Sequence, residues 1–475
     1  MKLANTIRWR DTSGGIITNV SSDIVTANSI PFAINLDFDK DLGLAQSRAG
    51  TSRIGNQLSA GNACRGLHYF RDADGSNHKL FAAFNGSIYN VVGGSAEKSS
   101  LTVDADYNFI TFMDAVLMLN GTDAASTVGA GTWITTGGAF DLANIPSGLQ
   151  FPIEWHDRVY AAKVDQIHYT TIPDGQTVTW GGVGSGSIQV EREDGAGTIK
   201  GLGKVPGYLL IFKERSLKRW DFNSTYPDDL VRVGTQAHKS IVNGRGLCFF
   251  FYGPKGFYAT NGGYPKLISR PIQRIIDAIP SAYFGKVSGW CDDEHVYWSI
   301  GDITVDFGYG YTEIHNNVTV RYTIDTQEWS VYKYAHEFRA WSNYINGTDP
   351  VVVAGDSDGQ ILQIATGNSD YSGNPITYIL QSPEFDFSQR ERLKSIADRI
   401  IAHAYPAKGA IVQARIDYKE WKEIGQISGL VSEISLKKPL VGHVFEFRLT
   451  DSITGEPVKL RGLDFPSVDI HTTIN

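Results

Sequence analysis

The chain has 475 residues and a formal net charge of −8, with 42% hydrophobic, 12% aromatic and 20% charged residues. This length exceeds what one hydrophobic core usually organises, which predicts two or more domains, or a repeat array with an appendage. The 50 glycines and the low charged fraction predict many turns and strands, with less than about 15% helix. The acidic balance argues against a surface that grips nucleic acid, because such surfaces carry a basic excess.

The cysteines and the first residues bear on the compartment. Cys64, Cys248 and Cys291 are an odd number without C-x-x-C spacing, which argues against a disulfide framework and fits assembly in a reducing cytoplasm. The first ten residues lack the apolar core of a signal peptide, and no apolar run reaches 18 residues. We therefore expect a soluble chain that does not insert into a membrane.

In chain order, residues 1–60 predict an extended N-terminal arm with a few short strands and no core of its own. Residues 61–373 then repeat one hairpin pattern, which is clearest between Gly246 and Ser269. There, residues 247–252 predict a buried strand and residues 257–260 its half-buried partner. Five Asn-Gly pairs, at Asn85, Asn120, Asn243, Asn261 and Asn346, and four Asp-Gly pairs, at Asp74, Asp174, Asp194 and Asp358, supply hairpin turns.

The hairpins recur with a regular spacing. Five equivalent positions, at Ile88, Ile167, Leu217, Phe257 and Ile361, are separated by 79, 50, 40 and 104 residues. These gaps correspond to two, one, one and two units of about 40 to 50 residues, the period of β-propeller blades. The sequence therefore predicts an all-β protein with a β-propeller of about seven blades.

Two further segments complete the expected architecture. Residues 269–283 predict a helix capped by Ser269, with an apolar stripe at Ile272, Ile275, Ile276 and Ile279. The apolar residues between positions 393 and 401 have helical spacing, but the flanking sequences are rich in predicted strands, so a strand is nearly as well supported. After a turn-rich break at 367–375, short alternating strands predict a small C-terminal β-sandwich domain over residues 374–475.

Catalytic and metal-binding patterns are nearly absent. The sequence has no P-loop, no H-E-x-x-H motif and no G-x-S-x-G motif. His336-Glu337 begins like a zinc helix, but position 340 is Ala340. Asp72-Ala-Asp74-Gly75 and Asp356-Ser-Asp358-Gly359 begin like calcium loops, yet their twelfth positions are Ala83 and Gly367. We predict no catalytic residues, no cofactor-binding residues and no metal ligands, and we expect stability that does not depend on a metal.

Three other groups of residues invite a functional interpretation. The acidic triplet Asp292-Asp293-Glu294 could hold a general acid and base, but such triplets between strands are usually solvated turns. The basic cluster from Lys213 to Arg219 is interpreted as a solvated hairpin. Six tryptophans could line a sugar-binding groove, although packing between blades is favoured; they are Trp155, Trp220, Trp290, Trp298, Trp329 and Trp341.

Several segments resemble the β-propeller nozzle or tail-hub proteins of short-tailed double-stranded DNA phages, also called packaged-DNA stabilisation proteins. Residues 30–39 followed by Arg48-Ala-Gly50 resemble the N-terminal arm of that family. Residues 155–161 with Ile167-His-Tyr169, residues 212–217, and residues 256–262 through 269–276 resemble successive propeller hairpins. The resemblance covers nearly the whole chain and rests on the pattern of predicted strands and turns, not on an invariant motif.

This resemblance implies a structural virion protein of the tail, assembled in the host cytoplasm. Family members form homo-oligomeric rings, typically hexamers, below the portal and adaptor, and fibres or spikes attach outside. Double-stranded DNA passes through the lumen, and we expect the acidic chain to conduct it without tight binding. Because propellers close on themselves, the arm and the C-terminal domain are expected to make much of the contact between copies. The alternative is a carbohydrate-binding or glycan-cleaving β-propeller of a host-recognition apparatus.

Overall fold

The computed structural model is 53% strand and 4% helix, so the predicted all-β fold is confirmed. It describes residues 7–471 except 20–27, 40–42, 74, 76, 114, 124–131, 135–138, 142–143, 174–176, 192–194, 247, 308–310, 388–390, 406–408 and 454–457. Leu247 and the predicted turn residues Asp74, Asp174 and Asp194 therefore lie outside the described residues. None of the described helices has the length and apolar surface needed to cross a bilayer.

The centre of the chain is a β-propeller of seven blades, counted over the described residues. Each blade is a small antiparallel sheet, and the first strands of blades 5, 6, 7, 1, 2, 3 and 4 contact one another in that succession. The five positions taken as equivalent in the sequence all lie on the third strand of a blade, which confirms the repeat assignment.

Blades 1 to 4 are each built from one continuous stretch of chain. Blade 1 contains Gly66–Arg71, His78–Phe84, Ser87–Asn90 and Ala96–Lys98; blade 2 contains Asn108–Phe112, Ala115–Leu119 and Thr132–Ile134; blade 3 contains Gln150–Trp155, Arg158–Lys163, Gln166–Tyr169 and Gly186–Gln189; blade 4 contains Ile199–Val205, Tyr208–Lys213, Leu217–Asp221 and Asp228–Val231. A parallel pair, Ala139–Asp141 with Thr177–Thr179, lies outside these sheets.

Blades 5 to 7 complete the ring. Blade 5 contains Val242–Gly244, Cys248–Gly253, Gly256–Thr260 and Lys266–Leu267; blade 6 contains Ser288–Cys291, His295–Asp306, Thr312–Thr323 and Trp329–Lys333; blade 7 contains Phe338–Asn346, Asp349–Asp356, Ile361–Ile364 and Thr51–Arg53. The fourth strand of blade 7 thus comes from the N-terminal side of the chain, with Thr51 opposite Ile364 and Arg53 opposite Leu362. The propeller is closed by hydrogen bonds between its two ends.

The described turns follow the predicted chemistry with two exceptions, at Asn243 and at Asn346, which ends a strand opposite Asp349 so that Gly347 and Thr348 make the turn. Asn85 and Gly86 both have positive φ, 46° and 69°, as a two-residue type I′ hairpin turn requires. The pair Asn243-Gly244 instead lies within a strand of blade 5. There the turn is made by Arg245 and Gly246, with φ of 54° and 70°, so the turn predicted at Asn243 is wrong by two residues.

The predicted helix over residues 269–283 is broken into three short pieces. Arg270–Ile272 and Ser281–Tyr283 are 3-10 turns, and only Gln273–Asp277 is α-helical. Ser269 does not cap the segment; its hydroxyl accepts a hydrogen bond from the Phe257 amide at 3.0 Å instead. Pro280 stops the helix, since proline lacks the amide hydrogen. The apolar stripe is confirmed, because all four of its isoleucines are buried.

The second unit is a β-sandwich of two main sheets with a small third one. Residues 393–401 contain strands there, not a helix. Sheet I contains, in order, Phe32–Ile34, Ile376–Gln381, Phe445–Ile453, Ile411–Ile416 and Lys422–Gln426; sheet II contains Leu36–Asp39, Leu44–Ser47, Lys459–Phe465, Arg399–Tyr405 and Val431–Ser435, with Ile7–Trp9 paired to Lys459–Phe465; the third contains Leu440–Gly442, Lys394–Ile396 and Val468–Ile470. A short 3-10 turn at His238–Ser240 precedes blade 5, and another at Tyr371–Gly373 precedes the sandwich.

The segment expected to be a free arm is therefore part of both units. Between residues 7 and 47 it supplies strands to both main sheets of the sandwich, and at residues 51–53 it closes the propeller. Its buried apolar side chains, such as Trp9, Phe32 and Leu36, belong to one core cluster with Phe257, Trp298 and Phe447. The described strands of the arm pair with strands of the same chain, and the contact of the arm with other copies stays a prediction.

Candidate functional site: an axial pocket in the propeller

A cavity of about 350 Å³ lies on the propeller axis and is lined by residues from around the whole ring. Its wall is formed by the first strands of blades 1 to 4, 6 and 7 and by the segment that leads into blade 5. One residue from each of these seven segments in turn illustrates the ring: His68, Asn108, Phe151, Lys200, His238, Trp290 and Asn343. A concave site of this size, assembled from many strands, falls in the range of small-molecule sites.

The two histidines of the pocket are held in the neutral form. Burial lowers the pKa of His68 to about 4, and burial also lowers the pKa of His238 to about 4 despite the nearby Asp106 carboxylate. Nε2 of His68 lies 2.8 Å from the Thr111 hydroxyl, and its ring stacks on Phe109 at 5.6 Å. Both imidazoles therefore act near neutral pH as uncharged groups that can donate and accept hydrogen bonds.

The charged side chains beside the pocket are paired with one another. Lys239 Nζ lies 2.6 Å from Asp106 Oδ1. Burial alone would raise the pKa of Asp106, but the nearby Lys239 ammonium lowers it below its usual value. Lys200 Nζ lies 2.9 Å from Glu214 Oε1. Each cation is thus matched by a carboxylate, so the pocket presents little net charge.

One wall of the pocket carries a distorted backbone. Phe151 has φ of 56°, a left-handed conformation that bulky residues seldom adopt. It lies where the register of blade 3 shifts between Gln150 and Ile153. Bulges of this kind redirect side chains next to binding sites, and here the Phe151 ring contacts His238 at 5.2 Å.

The six tryptophans divide into two groups. The predicted packing role is confirmed for Trp155, Trp220, Trp298, Trp329 and Trp341, which are at most 5% exposed. Trp155 packs on Trp220 across blades 3 and 4 at 5.3 Å, for example. Trp290 differs, because it is only partly buried and lines the axial pocket. The sequence pattern does not separate Trp290 from the other five tryptophans, since register alone decides which tryptophan reaches the axis.

No protein-family model matches the sequence. No curated protein matches it either. Among solved structures, the chain is similar to YCF48 bound to D1 peptide at 9% identity and a TM-score of 0.38, over 70% of this chain and 100% of that one. It is also similar to the AfRom2 CNH domain at 11% identity and a TM-score of 0.38, over 66% and 99%. The extracellular domain of BT4673 from B. thetaiotaomicron matches at 10% identity and a TM-score of 0.41, over 91% and 62%.

A second polar centre, here called the junction, joins the propeller to the sandwich around Arg48. The Arg48 guanidinium is buried and donates to both carboxylate oxygens of Asp370 at 2.9 and 2.7 Å. It also donates to Asn35 Oδ1 at 2.8 Å and to the Lys333 carbonyl at 2.9 Å, and it lies 4.2 Å from the centre of the Tyr334 ring. Arg48 therefore connects the arm, blade 6 and the segment after blade 7.

The long hairpin of blade 6 forms the other half of the junction. Its two strands have 12 residues each, longer than the rest of the blade, and they extend onto sheet I of the sandwich. Glu313 on the hairpin lies 2.6 Å from Arg448 of sheet I and 3.3 Å from His315. Burial alone would raise the pKa of Glu313, but hydrogen bonding to His315 and the charge of Arg448 lower it to about 2.

The two sequences that begin like calcium loops use their carboxylates differently. Asp356 Oδ1 accepts the Asp358 and Gln360 amides at 2.9 and 2.8 Å, and Asp72 accepts the Asn77 amide at 3.0 Å. These contacts close tight turns. Over the part of the chain that the structure describes, no group of three or more His, Cys, Asp or Glu side chains could hold a metal.

The acidic triplet lies at a turn of blade 6. Asp292 Oδ1 accepts the Glu294 and His295 amides at 2.8 and 2.5 Å. Burial would raise the pKa of Asp292, but hydrogen bonds from His295 and the backbone lower it. Asp292 therefore stabilises the turn as an ionised group, which is the interpretation that the sequence favoured.

The basic cluster differs from its prediction. The solvated hairpin expected from Lys213 to Arg219 is wrong for two of its lysines, because Lys213 is 0% exposed and Lys218 is 1% exposed. Lys213 Nζ donates to the Glu191 carbonyl at 2.7 Å, and Lys218 Nζ lies between Glu191 and Asp229 at 2.9 and 2.5 Å. Long lysine stems can be buried when their ammonium groups find such partners.

Proposed function

We propose that this chain is a structural subunit of a phage tail nozzle or neck, a homo-oligomeric ring that retains packaged DNA and conducts it during ejection. The family resemblance of the propeller hairpins motivates the proposal. The observation that supports it is the junction. Domains usually move relative to each other unless a large apolar interface joins them, and here one core cluster runs through blades 5 and 6 and both main sheets of the sandwich.

Such a rigid subunit suits a channel under internal pressure. The partners implied are further copies of the chain, typically six in a ring, a portal or adaptor ring above, and fibres or spikes outside. The proposed role includes no enzymatic activity.

Electron microscopy of the purified chain in negative stain tests the ring. We expect closed rings with an open lumen, together with a concentration-dependent rise in mass in sedimentation. A chain that stays monomeric at every concentration and salt level would contradict the proposal.

The conduit role makes a separate prediction about DNA. Six copies would carry 6 × (−8) = −48 formal charges, and tight binding to DNA requires rows of Lys and Arg that release counterions. We expect duplex DNA to bind no more tightly than the general non-specific range of roughly 10⁻⁴ to 10⁻⁶ M at physiological salt. A fluorescence titration that gives a sub-micromolar Kd would favour a protein that grips DNA.

A carbohydrate-binding propeller is the second candidate. The observation that favours it is Trp290, the half-buried tryptophan that lines the axial pocket. A ring without sugar binding and a sugar-binding monomer are distinguishable outcomes, so each experiment tests one candidate.

A further inference from the structure

We propose that the axial pocket is a binding site for a neutral saccharide of one or two sugar units. The site lies within a single propeller, so it is independent of ring assembly and of the nozzle role. Four properties of the cavity support this proposal: its size, its charge balance, its polar groups and its aromatic groups.

The charge balance excludes ions as the preferred ligand. Lys200 and the neighbouring Lys239 are each paired with a carboxylate, so no surplus cation is available for a phosphate or a carboxylate ligand. The same pairing leaves no free carboxylate there for a cation. A buried charge without a partner is strongly unfavourable, so the pocket favours an uncharged ligand.

The polar groups suit a ligand with many hydroxyls. The exposed Asn343 side chain provides an amide donor and a carbonyl acceptor at the pocket, and Asn108, whose Nδ2 donates to the Leu119 carbonyl at 3.5 Å, adds a carbonyl acceptor. The neutral imidazoles of His68 and His238 add groups that can act in either sense. A sugar hydroxyl both donates and accepts, so this mixture matches it better than it matches a hydrocarbon.

The aromatic groups separate a sugar from a nucleobase. A base is usually held by stacking on flat aromatic faces, preferably between two of them. In the described part of the pocket, His68 and Phe109 already stack on each other, and Phe151 is tilted by 47° against His238. Neither pair leaves an open slot between parallel rings. Trp290 packs on the Tyr297 and Trp341 cluster on one side, and it presents its remaining surface to the cavity as a platform for the C–H face of a sugar ring.

The test uses the purified full chain and saturation-transfer NMR with calorimetry. The probes are neutral mono- and disaccharides, acidic sugars and nucleosides. The variants are Asn343→Ala, in which an exposed amide is removed, and Trp290→Ala, with Trp290→Phe as a variant that keeps most of the packing. Asn223→Ala is the matched control, because Asn223 is an exposed asparagine at a turn of blade 4.

We expect a neutral saccharide to bind the native chain. Loss of one amide should weaken binding by about threefold to tenfold, Trp290→Phe should weaken it less than Trp290→Ala, and Asn223→Ala should leave it unchanged. Far-ultraviolet circular dichroism and melting curves will show which variants are folded. The proposal is overturned if no neutral saccharide binds, if folded Asn343→Ala and folded Trp290→Ala both bind it as tightly as the native chain does, or if nucleosides or acidic sugars bind in place of neutral ones.

Discussion

Blades 1 to 6 and the sandwich obtain their strand partners in opposite ways. Each of these blades pairs strands from one short stretch of chain; in blade 1, for example, Ala82 lies opposite Tyr89. The sandwich pairs strands from opposite ends of the chain: Phe32 lies opposite Gln381, and Trp9 lies opposite Leu463. Blade 7 is intermediate, since only its fourth strand comes from far away.

The difference indicates where the fold is most dependent on distant contacts. Closing a long loop costs more chain entropy than closing a short one, and non-local pairing slows folding. The hairpins of the blades can form locally, whereas the sandwich requires both ends of the chain. We therefore expect the sandwich and the junction, not the individual blades, to be the parts most sensitive to changes in the arm.

Deleting residues 1–50 should have the largest effect. This truncation removes four strands from the sandwich and Arg48 from the junction, which exposes a large apolar surface. We expect loss of the native cooperative melting transition. A truncation of residues 1–60 removes the fourth strand of blade 7 as well. The protein that lacks residues 1–60 should therefore be less stable than the one that lacks residues 1–50. This outcome replaces the expectation from the sequence that residues 1–60 form an extended arm with no core of its own. A native-like melting curve for the shorter truncation would show that the sandwich strands of the arm are dispensable.

Arg48→Ala should have the next largest effect. It leaves the buried Asp370 carboxylate without its bidentate partner, and breaking such a pair typically costs about 3–5 kcal/mol. Urea denaturation measures the free energy of unfolding. Arg245→Ala is the control, because its ion pair with Asp325 lies at the surface and surface pairs contribute little. Equal stability of the two variants would mean that the junction does not hold the domains together.

Glu313→Gln tests the hairpin half of the junction. It leaves Arg448 without its carboxylate partner, which should cost about 1–3 kcal/mol at neutral pH. The pKa of Glu313 is lowered from 4.5 to about 2 in the folded protein. Its contribution is therefore present above pH 4.5 and is lost as the pH falls through about 2.

Denaturation at successive pH values measures how the free energy of unfolding depends on pH. Below about pH 4.5 this dependence should be weaker in Glu313→Gln than in the native chain. Glu433→Gln serves as the control, since Glu433 forms an exposed ion pair with Arg399. A profile that is unchanged in Glu313→Gln would remove this ion pair as a source of pH dependence.

His238→Gln should have the smallest effect. The pKa of His238 is lowered from 6.5 to about 4 by burial, so the unfolded chain binds more protons than the folded chain between these values. Stability should therefore fall as the pH falls from 6.5 to 4, by about 1 kcal/mol per histidine at about pH 5.5. The variant should lose this dependence while its stability at neutral pH changes little. An NMR titration that finds His238 protonated near pH 6.5 would contradict the assignment.

Local patterns in the sequence determined the propeller and most strands of the sandwich. The alternation of short apolar runs with Asn-Gly and Asp-Gly turns is a property of adjacent residues, and the repeat spacing of Ile88, Ile167 and Leu217 follows from it. The same locality explains the errors. The helix over residues 269–283 has the right periodicity, but Pro280 and the packing of Ser269 against Phe257 divide it.

The tertiary structure alone decided what depends on distant partners. No local pattern shows that Thr51–Arg53 closes blade 7, that Arg48 meets Asp370, or that Lys213 is buried, because each outcome is set by residues far away in the chain. The same holds for the axial pocket. Six blades and the segment before blade 5 each contribute one or a few residues to it, and only closure of the ring brings His68, His238 and Trp290 around one cavity.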